Sequence, residues 1–168
     1  GSKNGGTTTN TNVEIKQGNA TNVYGGGQNK VLVTSASVTK QGGSVTNIFG
    51  GNNANNNDES EVVVATVNID NTKAVNVYGG GANGGIVMST IVNISGESEI
   101  SGDLYGGGYE SNVGANGSTG STTMNIVGGI INQNINGGSK DGLVYGNTNI
   151  NIGKDASTVS SLVRAEID

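Results

Sequence analysis

Val75-Asn76-Val77-Tyr78-Gly79-Gly80-Gly81 decides the fold, because the same phrase recurs along the chain. It stands at Thr21-Asn22-Val23-Tyr24-Gly25-Gly26-Gly27, at Thr46-Asn47-Ile48-Phe49-Gly50-Gly51 and at Gly102-Asp103-Leu104-Tyr105-Gly106-Gly107-Gly108. A fixed step of roughly 20 to 50 residues marks an array whose units cannot bury their own apolar faces and stack on their neighbours instead. Beyond Tyr105 the aromatic match at Val144-Tyr145-Gly146 is out of step. The register continues through Asn134-Ile135-Asn136-Gly137-Gly138, with Asn136 in the aromatic place, and a degraded sixth copy at Ser161-Leu162-Val163-Arg164. The aromatic positions 24, 49, 78, 105, 136 and 163 are then separated by 25, 29, 27, 31 and 27 residues.

Each unit carries two further apolar segments. One is Val-x-Ile: Val13-Glu14-Ile15, Val67-Asn68-Ile69, Val92-Asn93-Ile94, Met124-Asn125-Ile126 and Ile150-Asn151-Ile152, with Ala36-Ser37-Val38 as a weaker copy. The other is a short aliphatic run: Val31-Leu32-Val33, Val62-Val63-Val64, Ile86-Val87-Met88 and Leu143-Val144-Tyr145. Strict alternation and β-branching read as strands, and the runs are too short and too broken by Gly for helix. Three short strands per unit, stacked coil on coil, predict an all-β right-handed parallel β-helix of about six coils, a single domain over residues 1–168. Gly1-Ser2 reads as an expression scar, and the remainder as a piece of a longer protein with neighbouring domains.

Stacking converts the alignment into ladders. Val23, Ile48, Val77, Leu104, Ile135 and Leu162 are all aliphatic and are expected in the core, so Val77→Asp is expected to harm the fold far more than Tyr78→Ala. Their neighbours then face outward: an amide row, Asn22, Asn47, Asn76, Asp103 and Asn134, beside an aromatic row, Tyr24, Phe49, Tyr78 and Tyr105. A second outward row is Glu14, Ser37, Asn68, Asn93, Asn125 and Asn151. Amide rows stabilise a stack by hydrogen bonding along its axis. Exposed aromatic faces beside amides would also suit a sugar chain, which makes Tyr24, Phe49, Tyr78, Tyr105, Asn22, Asn47, Asn76 and Asp103 the candidate glycan-binding residues. The Gly pairs are expected to supply positive φ at strand-ending corners.

Composition removes several functions. The chain has no His and no Cys, which excludes His-dependent catalytic triads and thiolate metal sites. Its net charge of -5, without a Lys/Arg cluster, excludes a phosphate-binding footprint, so no nucleic-acid partner is expected. No apolar run is long enough for membrane insertion. If a cofactor is bound it is Ca²⁺ at Asp58, Glu59 and Glu61 of the acidic loop, although their spacing matches no recognised calcium loop and a solvated acidic loop is the favoured reading. Asp70 with Glu97 or Glu99 is the one carboxylate pairing the ladder suggests for glycoside cleavage, and Lys73 nearby favours a salt bridge instead.

Val77-Tyr78-Gly79-Gly80-Gly81 followed by Thr90-Ile91-Val92-Asn93-Ile94-Ser95-Gly96 resembles the degenerate Gly-rich repeats of large secreted or wall-attached bacterial proteins, over roughly residues 11–152. It is similar in style to the pectate-lyase-like β-helix superfamily and to adhesin stalks, without that superfamily's catalytic motifs. The resemblance implies a right-handed β-helix, a secreted or cell-surface location and an adhesive or spacer role; the partner expected from the aromatic row is a polysaccharide or a host or cell-surface glycan. It transfers no functional residues. The alternatives are an ice-binding solenoid, suggested by Thr7-Thr8-Thr9, and a polysaccharide-acting enzyme domain.

Overall fold

The computed structural model describes residues 1–55 and 60–153, and the backbone of 165–167. The chain winds as a parallel β-solenoid of about six coils, without helix among the described residues. One sheet is built from β1 (Gly6–Ile15), β3 (Val31–Gln41), β5 (Glu61–Asp70), β7 (Ile86–Ser95), β11 (Ser121–Ile126) and β14 (Asn147–Ile152), in that spatial order, with β10 (Asn112–Val113) also pairing β7. The other contains β2 (Asn19–Tyr24), β4 (Ser44–Phe49), β6 (Lys73–Tyr78), β8 (Glu99–Ile100), β9 (Leu104–Tyr105), β12 (Gly129–Ile131), β13 (Ile135–Asn136) and β15 (Ala165–Ile167). All of these ladders are parallel, and each residue pairs with its equivalent one coil away.

The expected register of the aromatic row holds through the fifth coil. Tyr24 pairs with Phe49, Phe49 with Tyr78, Tyr78 with Tyr105 and Tyr105 with Asn136. Val144 bridges Val113, which places Tyr145 on the aliphatic-run strand. Ser161–Arg164, including Leu162, lie outside the described residues. Just beyond them, Ala165–Ile167 pairs with Gly129–Ile131.

The aliphatic run and the Val-x-Ile segment join end to end within β3, β5 and β7. A corner still separates them, because alternation breaks where two successive residues face out, as at Thr34-Ser35 and Val63-Val64. Ladder pairing skips the first residue of each corner. Inward side chains form the main core, Val38, Ile48, Val67, Ile69, Val77, Ile94, Leu104 and Ile126 among them, and a second cluster from Val31, Val33, Ala36, Val62, Ala65 and Val87 lies behind the corner.

Two expectations are corrected here. Val13-Glu14-Ile15 pairs with Val38-Thr39-Lys40, not with Ala36-Ser37-Val38. Thr39 therefore occupies the outward row in place of Ser37, and Lys40 takes an Ile position, between Ile15 and Ile69, wholly buried. A lysine where every other coil has Ile is what conceals the match. Its ammonium donates to the Gly42 carbonyl, and burial holds its pKa below the usual 10.5.

The second correction concerns the Gly corners. Gly25, Gly50, Gly79 and Gly106 do not have positive φ. Adjacent coils instead approach too closely for a side chain: a Cβ on Gly50 would lie 2.2 Å from the Gly79 carbonyl oxygen, and one on Gly79 would lie 2.2 Å from that of Gly106. Positive φ is used elsewhere, at Gly42 and Gly43 and at Gly96, in the bends that follow the Val-x-Ile strands.

Candidate functional site

The aromatic row closes β2, β4, β6 and β9, one residue beyond the inward Val23, Ile48, Val77 and Leu104. Coil spacing dictates ring spacing. Centroids of Tyr24 and Phe49 are 5.0 Å apart, those of Phe49 and Tyr78 5.0 Å, and those of Tyr78 and Tyr105 5.4 Å, with planes within 9° of parallel. Both faces of Phe49 and of Tyr78 are therefore occupied by neighbouring rings. The exposed faces expected for sugar stacking do not exist at these two positions, where the residues are only 7% and 4% accessible. Tyr24 and Tyr105, at the ends of the stack, are half-buried.

A residue that the repeat did not flag completes the cluster. Tyr109 stands edge-on to Tyr78, 5.6 Å between centroids at 86°, and the Lys140 ammonium lies 4.6 Å from the Tyr109 ring centroid. Ala82 packs into the same cluster. The result is a small apolar core outside the solenoid wall, with a shallow groove of about 300 Å³ running over it between Tyr24, Asn47, Asn76, Asn83 and Lys140. Tyr109 follows directly on Gly106-Gly107-Gly108, where the other complete Gly triplets are followed by Gln28 and Ala82, so the repeat gave no signal for it.

Burial first, then the neighbouring Tyr105, Tyr109, Asp103 and Asp141, push the Tyr78 hydroxyl up to about 12. Tyr105 is raised by burial and Asp103, with Lys140 opposing. Both phenols stay protonated at neutral pH.

The amides beside the rings bond to one another. Asn47 Nδ2 donates to Asn22 Oδ1 at 2.8 Å, and Asn76 Nδ2 to Asn47 Oδ1 at 3.0 Å. Asp103 cannot donate through a carboxylate, and its backbone N–H bonds to Asn76 Oδ1 at 3.1 Å instead. Its Oδ1 accepts from Asn134 Nδ2 at 3.0 Å. The Val-x-Ile row behaves alike, Asn93 donating to Asn68, Asn125 to Asn93 and Asn151 to Asn125 at 2.7 to 2.9 Å.

Behind the corner sits a buried amide, Asn52, where the first, third and fourth coils have the third Gly of the triplet. It is 2% accessible. Its Oδ1 accepts from the Gly27 N–H at 2.7 Å and its Nδ2 donates to the Val31 carbonyl at 3.1 Å, tying the first coils together. Ser111 and Ser139 perform similar work, accepting from the N–H groups of Gly81 and Gly108.

Two of the carboxylates suggested for catalysis, Glu99 and Asp70, are engaged elsewhere. Glu99 forms an ion pair with Lys73 at 3.0 Å, which holds its carboxyl below the usual range. Asp70 accepts from the hydroxyl of Ser95 and from the amide of Asn71. Of the expected calcium ligands, Asp58 and Glu59 lie outside the described residues, whereas Glu61 is half-buried in β5 between Leu32 and Ile86. Among the described residues no group of three or more His, Cys, Asp or Glu side chains could hold a metal ion, and no helix is long and apolar enough to cross a membrane. No family model, no curated protein and no solved structure matches the chain.

Proposed function

We propose that this chain is a noncatalytic segment of a secreted or cell-surface protein, acting as a stalk or adhesin spacer. One observation carries the reading: the outward rows are spent on each other. Rings stack on rings and amides bond to amides along the axis, which stiffens a rod and leaves few converging groups for chemistry. A stalk needs coil-to-coil cohesion over its whole length, and nearest-neighbour contacts of this kind supply it.

A second reading, glycan affinity, is favoured by the groove beside Tyr109. There the partly exposed ring of Tyr24 and the rim amides Asn47, Asn76 and Asn83 offer an edge and hydrogen-bonding groups to a saccharide. A glycan array separates the two. The stalk reading expects no binding above background. Binding that disappears in Tyr109→Ala, with the circular dichroism spectrum unchanged, would replace it with the glycan reading.

A further inference from the structure

Four Asn-Gly pairs occur in the chain, at Asn4-Gly5, Asn83-Gly84, Asn116-Gly117 and Asn136-Gly137. The structure treats them very differently. At Asn4 the side-chain Oδ1 accepts from Asn29 at 3.0 Å and the Gly5 N–H donates to the Asn29 carbonyl at 2.9 Å. At Asn83 the side-chain Nδ2 donates to Asn53 at 2.9 Å and the Gly84 N–H donates to the Glu110 carbonyl at 2.8 Å. Both asparagines are also held in the left-handed region, at φ 62 and 55°. Asn136 lies half-buried in β13, paired with Tyr105, and the Gly137 carbonyl accepts from the Thr122 hydroxyl at 2.5 Å.

Asn116-Gly117 stands apart. It forms the tip of an excursion between β10 and β11, closed by Ser118 N–H donating to the Ala115 carbonyl at 2.8 Å and Ala115 N–H to that of Ser118 at 3.1 Å. Gly117 has φ 85°, no heavy atom lies within 4 Å of where its Cβ would be, and Asn116 does not take a positive φ. Residues 116–119 are all exposed. Neither the Asn116 amide nor the Gly117 N–H has a hydrogen-bond partner among the described residues. An exposed two-residue tip is where local motion concentrates.

We infer that Asn116 is a site of spontaneous covalent modification, deamidating through a cyclic imide with Gly117. The Gly117 amide nitrogen, losing its proton, attacks Asn116 Cγ. The new N–Cγ bond forms as Cγ–Nδ2 breaks, and the side-chain nitrogen leaves as ammonia with that proton. Water then opens the five-membered imide at either carbonyl, giving aspartate, or isoaspartate with the main chain rerouted through the side chain. The net reaction consumes one water and releases one ammonia, with no oxidant or catalyst. Gly at the second position matters because it places no side chain in the path of the attacking nitrogen. The product carries one more negative charge, taking the formal net charge from -5 to -6. The isoaspartyl form lengthens the turn by one backbone atom and disturbs the paired Ala115–Ser118 bridge, while the solenoid wall, to which the tip contributes no core residue, stays intact.

The test is incubation of the intact protein at 37 °C and mildly alkaline pH, followed by peptide mapping for a mass gain near one dalton and by enzymatic methyl labelling of isoaspartate. Conversion at Asn116 is expected to outpace that at Asn4 and Asn83 by about tenfold or more, since those pairs must first break hydrogen bonds. In concentrated urea the four pairs are expected to converge, which identifies the folded structure as the source of the selectivity. Asn116→Gln is expected to remove the acidic charge variant without changing the melting temperature. The inference is overturned if the folded protein converts all four pairs at a common rate, or if Asn116 persists while another converts.

Discussion

Replacing Tyr78 by Ala tests whether the aromatic stack holds the coils together or merely decorates them. The ring is 4% accessible and touches three others: Phe49 on one face, Tyr105 on the other and Tyr109 at its edge. Truncating a buried aromatic residue costs about 3 to 5 kcal/mol. Each aromatic pair contributes about 0.5 to 1.5 kcal/mol beyond area burial, which places Tyr78 in the upper part of that range. Tyr24 offers the internal control, since it is half-buried with one stacked partner, and its truncation is expected to cost about 1 to 2 kcal/mol. Urea unfolding followed by circular dichroism measures both, with an unchanged m-value as the check that the same structure unfolds. A loss below about 1 kcal/mol for Tyr78→Ala, or equal losses for the two variants, would refute the reasoning. The ranking against Val77→Asp narrows accordingly. Sequence alone put the whole difference on the inward side, whereas the structure buries the outward ring as well, and both changes are severe.

Three further outcomes are expected. Lys40→Met should stabilise the fold on the order of 1 kcal/mol at neutral pH, as hydrophobic replacement of buried charge often does. Since burial lowers the Lys40 pKa, the folded state binds the proton less well than the unfolded chain, so wild-type stability rises with pH from the lowered value toward 10.5. The advantage of Lys40→Met should shrink over that window; an advantage independent of pH would show that the ammonium is not the cause. Asn52→Ala removes two buried hydrogen bonds and should cost about 1 to 3 kcal/mol by urea titration, and a neutral result would mean that water replaces the amide. Gly79→Ala should destabilise by about 1 to 3 kcal/mol, because the new Cβ meets the Gly106 carbonyl and Val92 where φ itself would tolerate alanine. No change in melting temperature there would mean that the coils can separate freely.

The architecture was legible wherever one residue type recurs at the same ladder place. Val23, Ile48, Val77 and Leu104 announce an inward position by being aliphatic in every coil, and the rejection of Tyr145 followed from spacing alone. Register failed at the second coil because the mismatch at Lys40 broke the pattern, and a one-coil exception carries no periodicity of its own. The glycines were recognised as corners for the wrong reason. Close approach between coils and positive φ both demand Gly, and sequence does not distinguish them. The stacking of the rings follows from coil spacing, but the cover at the edge of Tyr78 does not. It comes from Tyr109, a single residue in a loop of variable length, with Lys140 of a later coil over it, and neither recurs.

The side-chain amides that bond to a side chain of a neighbouring coil share one orientation. Asn29, Asn47, Asn76, Asn83, Asn93, Asn125, Asn134 and Asn151 each donate their N–H to a side-chain oxygen of the preceding coil, never to the following one. Backbone bonds between coils run both ways, as Gly25 N–H to the Phe49 carbonyl and Asn53 N–H to that of Gly27 illustrate, and their dipoles oppose one another. The amide dipoles do not cancel. Summed along the winding axis they make the rod electrically polar, partially positive in the direction of the earlier coils and partially negative in the direction of the later ones, without a formal charge being involved. Such a rod has a built-in sense of direction that an applied field or an interface can read.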